Sequence, residues 1–190
     1  MLYTATVTSR GTGPLPGQGP IAIRYPRGAG VGVPLAAEGF RSLPIGQGEM
    51  LRDGSDVAIV AVGPIVYEAL KAAEDLAASG ISVAVANARY VKPLDADLLI
   101  GLAARFKYII TIEENTVHGG FGAAVSEFLD NYQLLHPSSI IPHPCIIGLP
   151  DEFIEHGAPK SLMEEVGLTR ESIRERIRAI VQSPVAEPVA

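Results

Sequence analysis

Several groups of residues carry types and spacings that chemistry uses. Gly119-Gly120-Phe121-Gly122-Ala123 is a glycine-rich turn that opens a stretch of helical periodicity. Such a turn, when it links a strand to a helix, points backbone N–H groups at a phosphate. It follows the third apolar run rather than the first, and no ribose-binding acid stands at the dinucleotide spacing. Close packing of helix on strand is therefore the better reading of these glycines. Glu113 and Glu114 supply two carboxylates, but neighbours in a strand point to opposite faces and cannot flank one substrate atom. The pair is rejected as acid and base. What remains for one of them is to hold backbone, or a partner subunit, at the carboxyl edge of a sheet.

His118, His136, His143 and His156 lack an i, i+4 ligand spacing, and no acid cluster completes a metal site around them. His143 and Cys145 share a face if their segment is extended. An i, i+2 pair lies roughly 6.5 Å apart along a strand, too far for proton transfer, so Cys145 reads as a buried, inert thiol. No Gly-x-Ser-x-Gly elbow occurs, which removes the hydrolase reading of an α/β chain. Arg24 and Arg27 flank Tyr25-Pro26, with Gly28 behind. Proline interrupts a ladder and glycine frees the next link, so Arg27 is presented rather than buried. Its planar fork suits a phosphate monoester or an interdomain carboxylate, and chemistry alone leaves the two level. Arg24 reads as the partner of a structural acid.

The elements that must position these residues follow from periodicity. Runs at 57–62, 82–86, 108–112 and 145–148 are of strand length and apolar without clean alternation, as strands covered on both faces are. Ile65, Val66, Ala69, Leu70, Ala73, Leu76 and Ala77 form a helical stripe, with Gly80 where a C-cap is wanted. Asp95 caps the next helix, with Leu94 and Leu99 as its hydrophobic staple. A third helix starts after the glycine-rich turn and carries Val125, Phe128 and Leu129 inward, to about Asn131. The order βαβαβαβ predicts an α/β fold: a three-layer αβα open sheet, mostly parallel. Beyond it, a short helix at 160–166 stops at Gly167, and Thr169 caps a last helix with Leu168 and Ile173 as staple and Ile177, Ile180 and Val181 inward.

Composition sets the outer limits. The 190 residues are 47% hydrophobic and 19% charged, apolar enough for a core. One domain of roughly 150 residues leaves about 40 to 60 over. Fifteen basic against 21 acidic residues, net charge -6, and no basic run speak against nucleic acid. No apolar run approaches the length of a membrane span. One cysteine excludes an internal disulfide and suits a reducing compartment, and the first residues lack a signal-peptide pattern, so the cytoplasm is expected. The surplus lies at the front. Residues 12–20 form a Gly/Pro loop, 20–25 one isolated strand, and 26–44 a Gly/Pro-rich connector. A lone strand is not stable by itself. Residues 1–28 are thus expected to be the end of another domain, 29–44 a linker and 45–182 the main domain. Its sheet gains an edge strand from 45–51, and 183–190 form a disordered tail.

Taken together, Met1-Leu-Tyr-Thr-Ala, Pro20-Ile-Ala-Ile-Arg-Tyr-Pro-Arg-Gly, Ala88-Arg-Tyr-Val-Lys-Pro-Leu-Asp95, Glu113-Glu-Asn with Gly119-Gly-Phe-Gly, and Ile147-Gly-Leu-Pro-Asp-Glu-Phe-Ile-Glu-His-Gly157 are distinctive. In order and spacing they resemble the C-terminal part of the 1-deoxy-D-xylulose-5-phosphate synthases, thiamine-diphosphate enzymes of the transketolase superfamily. The resemblance implies a transketolase C-terminal-like domain preceded by the last strand of a pyrimidine-binding domain. It implies a homodimeric, magnesium-dependent transferase that condenses pyruvate with glyceraldehyde 3-phosphate, for isoprenoid and thiamine biosynthesis. The family's cofactor and metal motifs have no counterpart in these residues. The fragment is therefore expected to bind no cofactor or metal, to have no catalytic residue, and to be inactive without its upstream domains and a second copy.

Of the residues present, Arg27 matches the family arginine implicated in binding the aldehyde's phosphate, and the resemblance tips its role towards substrate. Ala29 stands where the family often has Asn, Asn87 where it often has Asp, and the stretch 11–19 looks longer than usual. Two other readings are carried: the C-terminal domain of a 2-oxoacid dehydrogenase E1 β-subunit, against which Arg-Tyr-Pro-Arg-Gly argues, and a free-standing mononucleotide-binding module built on the glycine-rich turn.

Overall fold

The computed structural model describes residues 22–25 and 43–182. The residual domain end up to Ile21, Arg27, nearly all of the linker and the tail at 183–190 lie outside the described residues. Ala22–Tyr25 have no strand pairing, so the isolated strand is not seen in its described part.

The apolar runs become β2 (Val57–Val62), β3 (Val83–Asn87), β4 (Tyr108–Thr116) and β5 (Cys145–Leu149), and β1 (Glu49–Arg52) precedes them. They form one five-stranded sheet in the order β1-β3-β2-β4-β5. Neighbouring pairs from β3 through β5 are parallel, and β1 lies antiparallel on β3 as an edge strand. Ile59 sits between Val85 and Ile110 in register. The pleat sends Val57, Ile59, Ala61, Val83, Val85, Ile110, Ile112 and Ile147 to one face and Ala58, Val60, Ala84, Ala86 and Ile109 to the other. Both sets are at most 1% exposed, which is why these strands read as apolar without alternation.

The connections supply the covering layers. Helices α1 (Val66–Ala78) and α5 (Arg170–Gln182) close the first face, and α2 (Ala96–Arg105) and α3 (Phe121–Leu135) the second; α4 (Pro159–Glu165) bridges β5 to α5. Their ends are set by the expected residues. Gly80 adopts φ +82° just past α1, Asp95 Oδ1 accepts from Leu98 N at 3.0 Å, and Thr169 Oγ1 accepts from Ser172 N at 3.3 Å. The stripe of α5 packs Ile173 and Ile177, both fully buried, against α1. Asp75 of α1 accepts from Arg170 Nε at 2.6 Å, and Arg174 approaches the same carboxylate.

Two elements run longer than their apolar patterns. Strand β4 continues through Glu113 to Thr116, because a charged residue pointing inward there finds partners. Helix α3 continues past Asn131 to Leu135, although Leu134 and Leu135 are exposed. Its last turn is held from the side: Tyr132 stacks on His136 with ring centroids 4.1 Å apart, and Gln133 Oε1 accepts from Ile141 N at 2.8 Å.

Candidate functional site

Helix α1 leaves β2 for β3 on one face, and α2 then returns to β4 on the other. The chain thus reverses its winding between the carboxyl ends of β2 and β4, the place where open α/β sheets take their ligands. The end of β4 carries two residues singled out above, Glu113 and Glu114. Glu113 is 1% exposed and points towards α3, where Oε2 accepts from Phe121 N at 2.6 Å and Oε1 from Gly122 N at 2.7 Å. These are the first N–H groups of the helix, the donors that a phosphate would need. A carboxylate of the chain itself already fills that position, with the sign of charge that the positive end of the helix favours.

The glycines of the turn serve this closure. A Cβ on Gly120 would run into the carbonyl oxygen of Thr116 and the Glu113 carboxylate. One on Gly122 would lie 2.5 Å from both Ile146 Cγ2 and Thr111 Oγ1. Close packing is thus what the glycines permit, and the phosphate-binding reading fails because its donors are taken.

Glu114 points to the other side of the same strand. Its Oε2 lies 3.7 Å from where a Cβ on Gly63 would stand, over the turn that leaves β2. Gly63 makes that turn at φ +87°, a conformation that side chains rarely adopt. Arg24, 90 residues earlier in the chain, donates from its Nη2 to the main-chain oxygen of Glu114 at 2.6 Å. Burial pushes the Glu114 carboxyl above the usual glutamate range, and the positive charge of Arg24 pulls the other way. Arg24 thus meets the expected acidic residue, but through its backbone carbonyl.

The end of β3 is equally self-contained. Arg89 adopts φ +58°, its N–H donates to Asn87 Oδ1 at 3.0 Å, and its largely buried guanidinium pairs with Glu49 of β1. Asn87 accepts this bond with the same kind of oxygen that an aspartate would offer, so the departure at this position leaves the turn intact. An open depression of about 470 Å³ lies beside it, lined by Ile45 to Gly48 and the start of α2. Asp95 crosses its wall, accepting from Gly48 N at 2.8 Å as well as from Leu98 N.

The histidines are scattered. His118 lies 3.7 Å from Asp151 and His143 3.4 Å from Asp130, both pairs exposed. His143 therefore turns to an aspartate of α3 and not to the thiol, while Cys145 is half-buried against the core. Among the described residues no group of three or more His, Cys, Asp or Glu is placed to hold a metal ion. With the amides of α3 occupied, the described residues do not fit a diphosphate or its magnesium. The backbone-holding role expected of one glutamate falls to Glu113, and Arg24 meets an acidic residue; what escaped the sequence reading was the partner in each case, and the pairing of Arg89 with Glu49 altogether. The start of α3 had a usable signal, an acid in a strand shortly before a Gly-x-Gly helix start; the other two contacts join segments 40 and 90 residues apart.

Comparison with known proteins agrees with this geometry. The family model for the transketolase C-terminal domain matches residues 46–173. The 1-deoxy-D-xylulose-5-phosphate synthase of a Synechococcus sp. is 48% identical over 168 residues, 88% of this chain and 25% of that protein. That of a Cyanothece sp. is 44% identical over 171 residues, 90% of this chain and 26% of that protein. The chain spans about a quarter of the length of the curated relatives it matches. A solved split-gene transketolase, an inactive beta4 tetramer, superposes with a TM-score of 0.67 at 34% identity, over 79% of this chain and 47% of that one. A parallel sheet with one antiparallel edge strand, a winding reversal closed by its own side chains and a family match over most of its length lead to one conclusion: the chain belongs to the transketolase C-terminal domain family.

Proposed function

We propose that this chain is the C-terminal part of a thiamine-diphosphate-dependent transferase that condenses pyruvate with glyceraldehyde 3-phosphate, releasing carbon dioxide and forming 1-deoxy-D-xylulose 5-phosphate. The observation that carries this reading is the 48% identity maintained over 88% of the chain and a quarter of the relative. The fold agrees with it: a mostly parallel sheet with one antiparallel edge strand, whose carboxyl edge at the start of α3 is closed by Glu113. The cofactor and magnesium belong to the upstream domains, the working unit is a homodimer, and the setting is the cytoplasm. No helix among the described residues is long and apolar enough to cross a membrane. The domain itself is architectural.

Arg27 is the one residue of the chain assigned to substrate, gripping the aldehyde's phosphate with its guanidinium. A charge-assisted, bidentate contact of this kind contributes about 1.5–3 kcal/mol. In the complete synthase, Arg27→Ala is expected to raise KM for glyceraldehyde 3-phosphate roughly tenfold or more and to leave that for pyruvate nearly unchanged. Equal effects on both substrates would remove the assignment. The 190-residue chain, supplied with both substrates, thiamine diphosphate and Mg²⁺, is expected to release no carbon dioxide; measurable turnover would overturn the architectural reading. The mononucleotide module is disfavoured by the occupied amides of α3, and calorimetry showing micromolar nucleotide binding would restore it.

A further inference from the structure

The winding reversal between β2 and β4 is the position in such sheets where a ligand is expected, and what lies over it here is a guanidinium of the same polypeptide. Arg24 reaches across 90 residues of sequence to donate at 2.6 Å to the Glu114 carbonyl. The Glu114 carboxyl is half-buried over the turn at Gly63, which offers no counter-charge. Its neighbour Glu113 is turned to the opposite face and engaged there. Among the described residues, Arg24 is the cation whose charge opposes the effect of burial on Glu114.

We infer that Arg24 and Glu114 form a latch that pins residues 22–25 to the carboxyl edge of the sheet, with both as positioning residues for Arg27. Arg24 supplies a hydrogen bond and a charge; Glu114 supplies its carbonyl as acceptor and its carboxylate as counter-charge. Three residues of extended chain reach at most about 11 Å, so fixing Arg24 limits where a side chain three positions further on can act. The purpose of the latch rests on the reading above, in which Arg27 grips the substrate phosphate.

Arg24 is exposed, so its replacement leaves the core untouched and the test does not depend on a marginal fold. In the 190-residue chain, Arg24→Ala is expected to move the Glu114 carboxyl titration, followed by carbon NMR, to higher pH. Backbone order at residues 22–25, read as the ¹⁵N heteronuclear NOE, is expected to fall clearly. Arg24→Lys restores the titration but not the full order, because the charge stays while the fork is lost. An unmoved Glu114 signal and unchanged backbone order in Arg24→Ala overturn the latch. In the complete synthase, Arg24→Ala is expected to raise KM for the phosphorylated aldehyde several-fold with kcat little changed. A moved Glu114 with unchanged KM overturns the positioning role, whereas Arg27→Ala acting equally on both substrates overturns the reading beneath it.

Discussion

Glu113 and Glu114 are neighbours in one strand with opposite environments, and their behaviour on substitution differs accordingly. Glu113→Ala strands two buried N–H groups at the start of α3, and the loss is expected to be about 2–4 kcal/mol by chemical denaturation. Glu113→Gln keeps the shape but offers one accepting oxygen, so part of the loss remains. Gly122→Ala tests the same junction from the other side. Alanine gains about 1 kcal/mol of helix propensity at an open site, yet here its methyl would press on Ile146 and Thr111. A net loss of about 1–3 kcal/mol is expected. Glu114 is a matter of titration. Its folded pKa is raised by burial, so its ionisation opposes folding as pH climbs from the unfolded value, about 4.3, to the folded one. Glu114→Gln should therefore gain melting temperature relative to the parent across that interval, and a constant difference would show that the burial is relieved in solution.

Between elements, the contact of α1 with α5 rests on Ile173 and Ile177 and on the Asp75 carboxylate between Arg170 and Arg174. Hydrogen bonding to Arg170 holds the Asp75 carboxyl below the usual aspartate range. The sign is opposite to that of Glu114. The contribution is fully present above the unfolded aspartate value, about 3.9, and is lost as pH falls through the folded one. Melting temperatures of parent and Asp75→Asn are expected to differ by a constant amount from about pH 5 to 8 and to converge below about pH 4. At the start of α2, Asp95→Ala removes both a cap and the bond to Gly48 N that ties in the approach to β1, and is expected to cost about 1–2 kcal/mol. Such elements were legible because their residues announce them locally: Asp95, Gly80, Gly167 and Thr169 stand at the ends where the structure finds them. The longer course of α3 was not legible, because Leu129 closes its apolar stripe and the last turn is held by contacts to His136 and Ile141 that no periodicity encodes. Similarly, the tail of β4 contains Glu113, and a charge in a buried strand is acceptable only when its partner, here the first turn of α3, is known.

At the scale of the whole molecule, the layering and the mostly parallel sheet followed from alternating strand and helix patterns together with the handedness of parallel crossovers, whereas the strand order did not. An edge strand was expected from 45–51, and β1 takes that place, antiparallel on β3. At the candidate site, the opposite facing of Glu113 and Glu114 and the close packing at the glycine-rich turn were legible, and the structure shows both. What sequence withheld was the reason, the filling of that turn by a side chain from the neighbouring strand. This has a further effect on how the domain responds to its surroundings. With Glu113 seated at the mouth of α3, pools of phosphorylated metabolites have no vacancy there to compete for. The amide signals of Phe121 and Gly122 should accordingly stay in place when millimolar ATP or inorganic phosphate is added at constant ionic strength, so this junction does not register metabolic state.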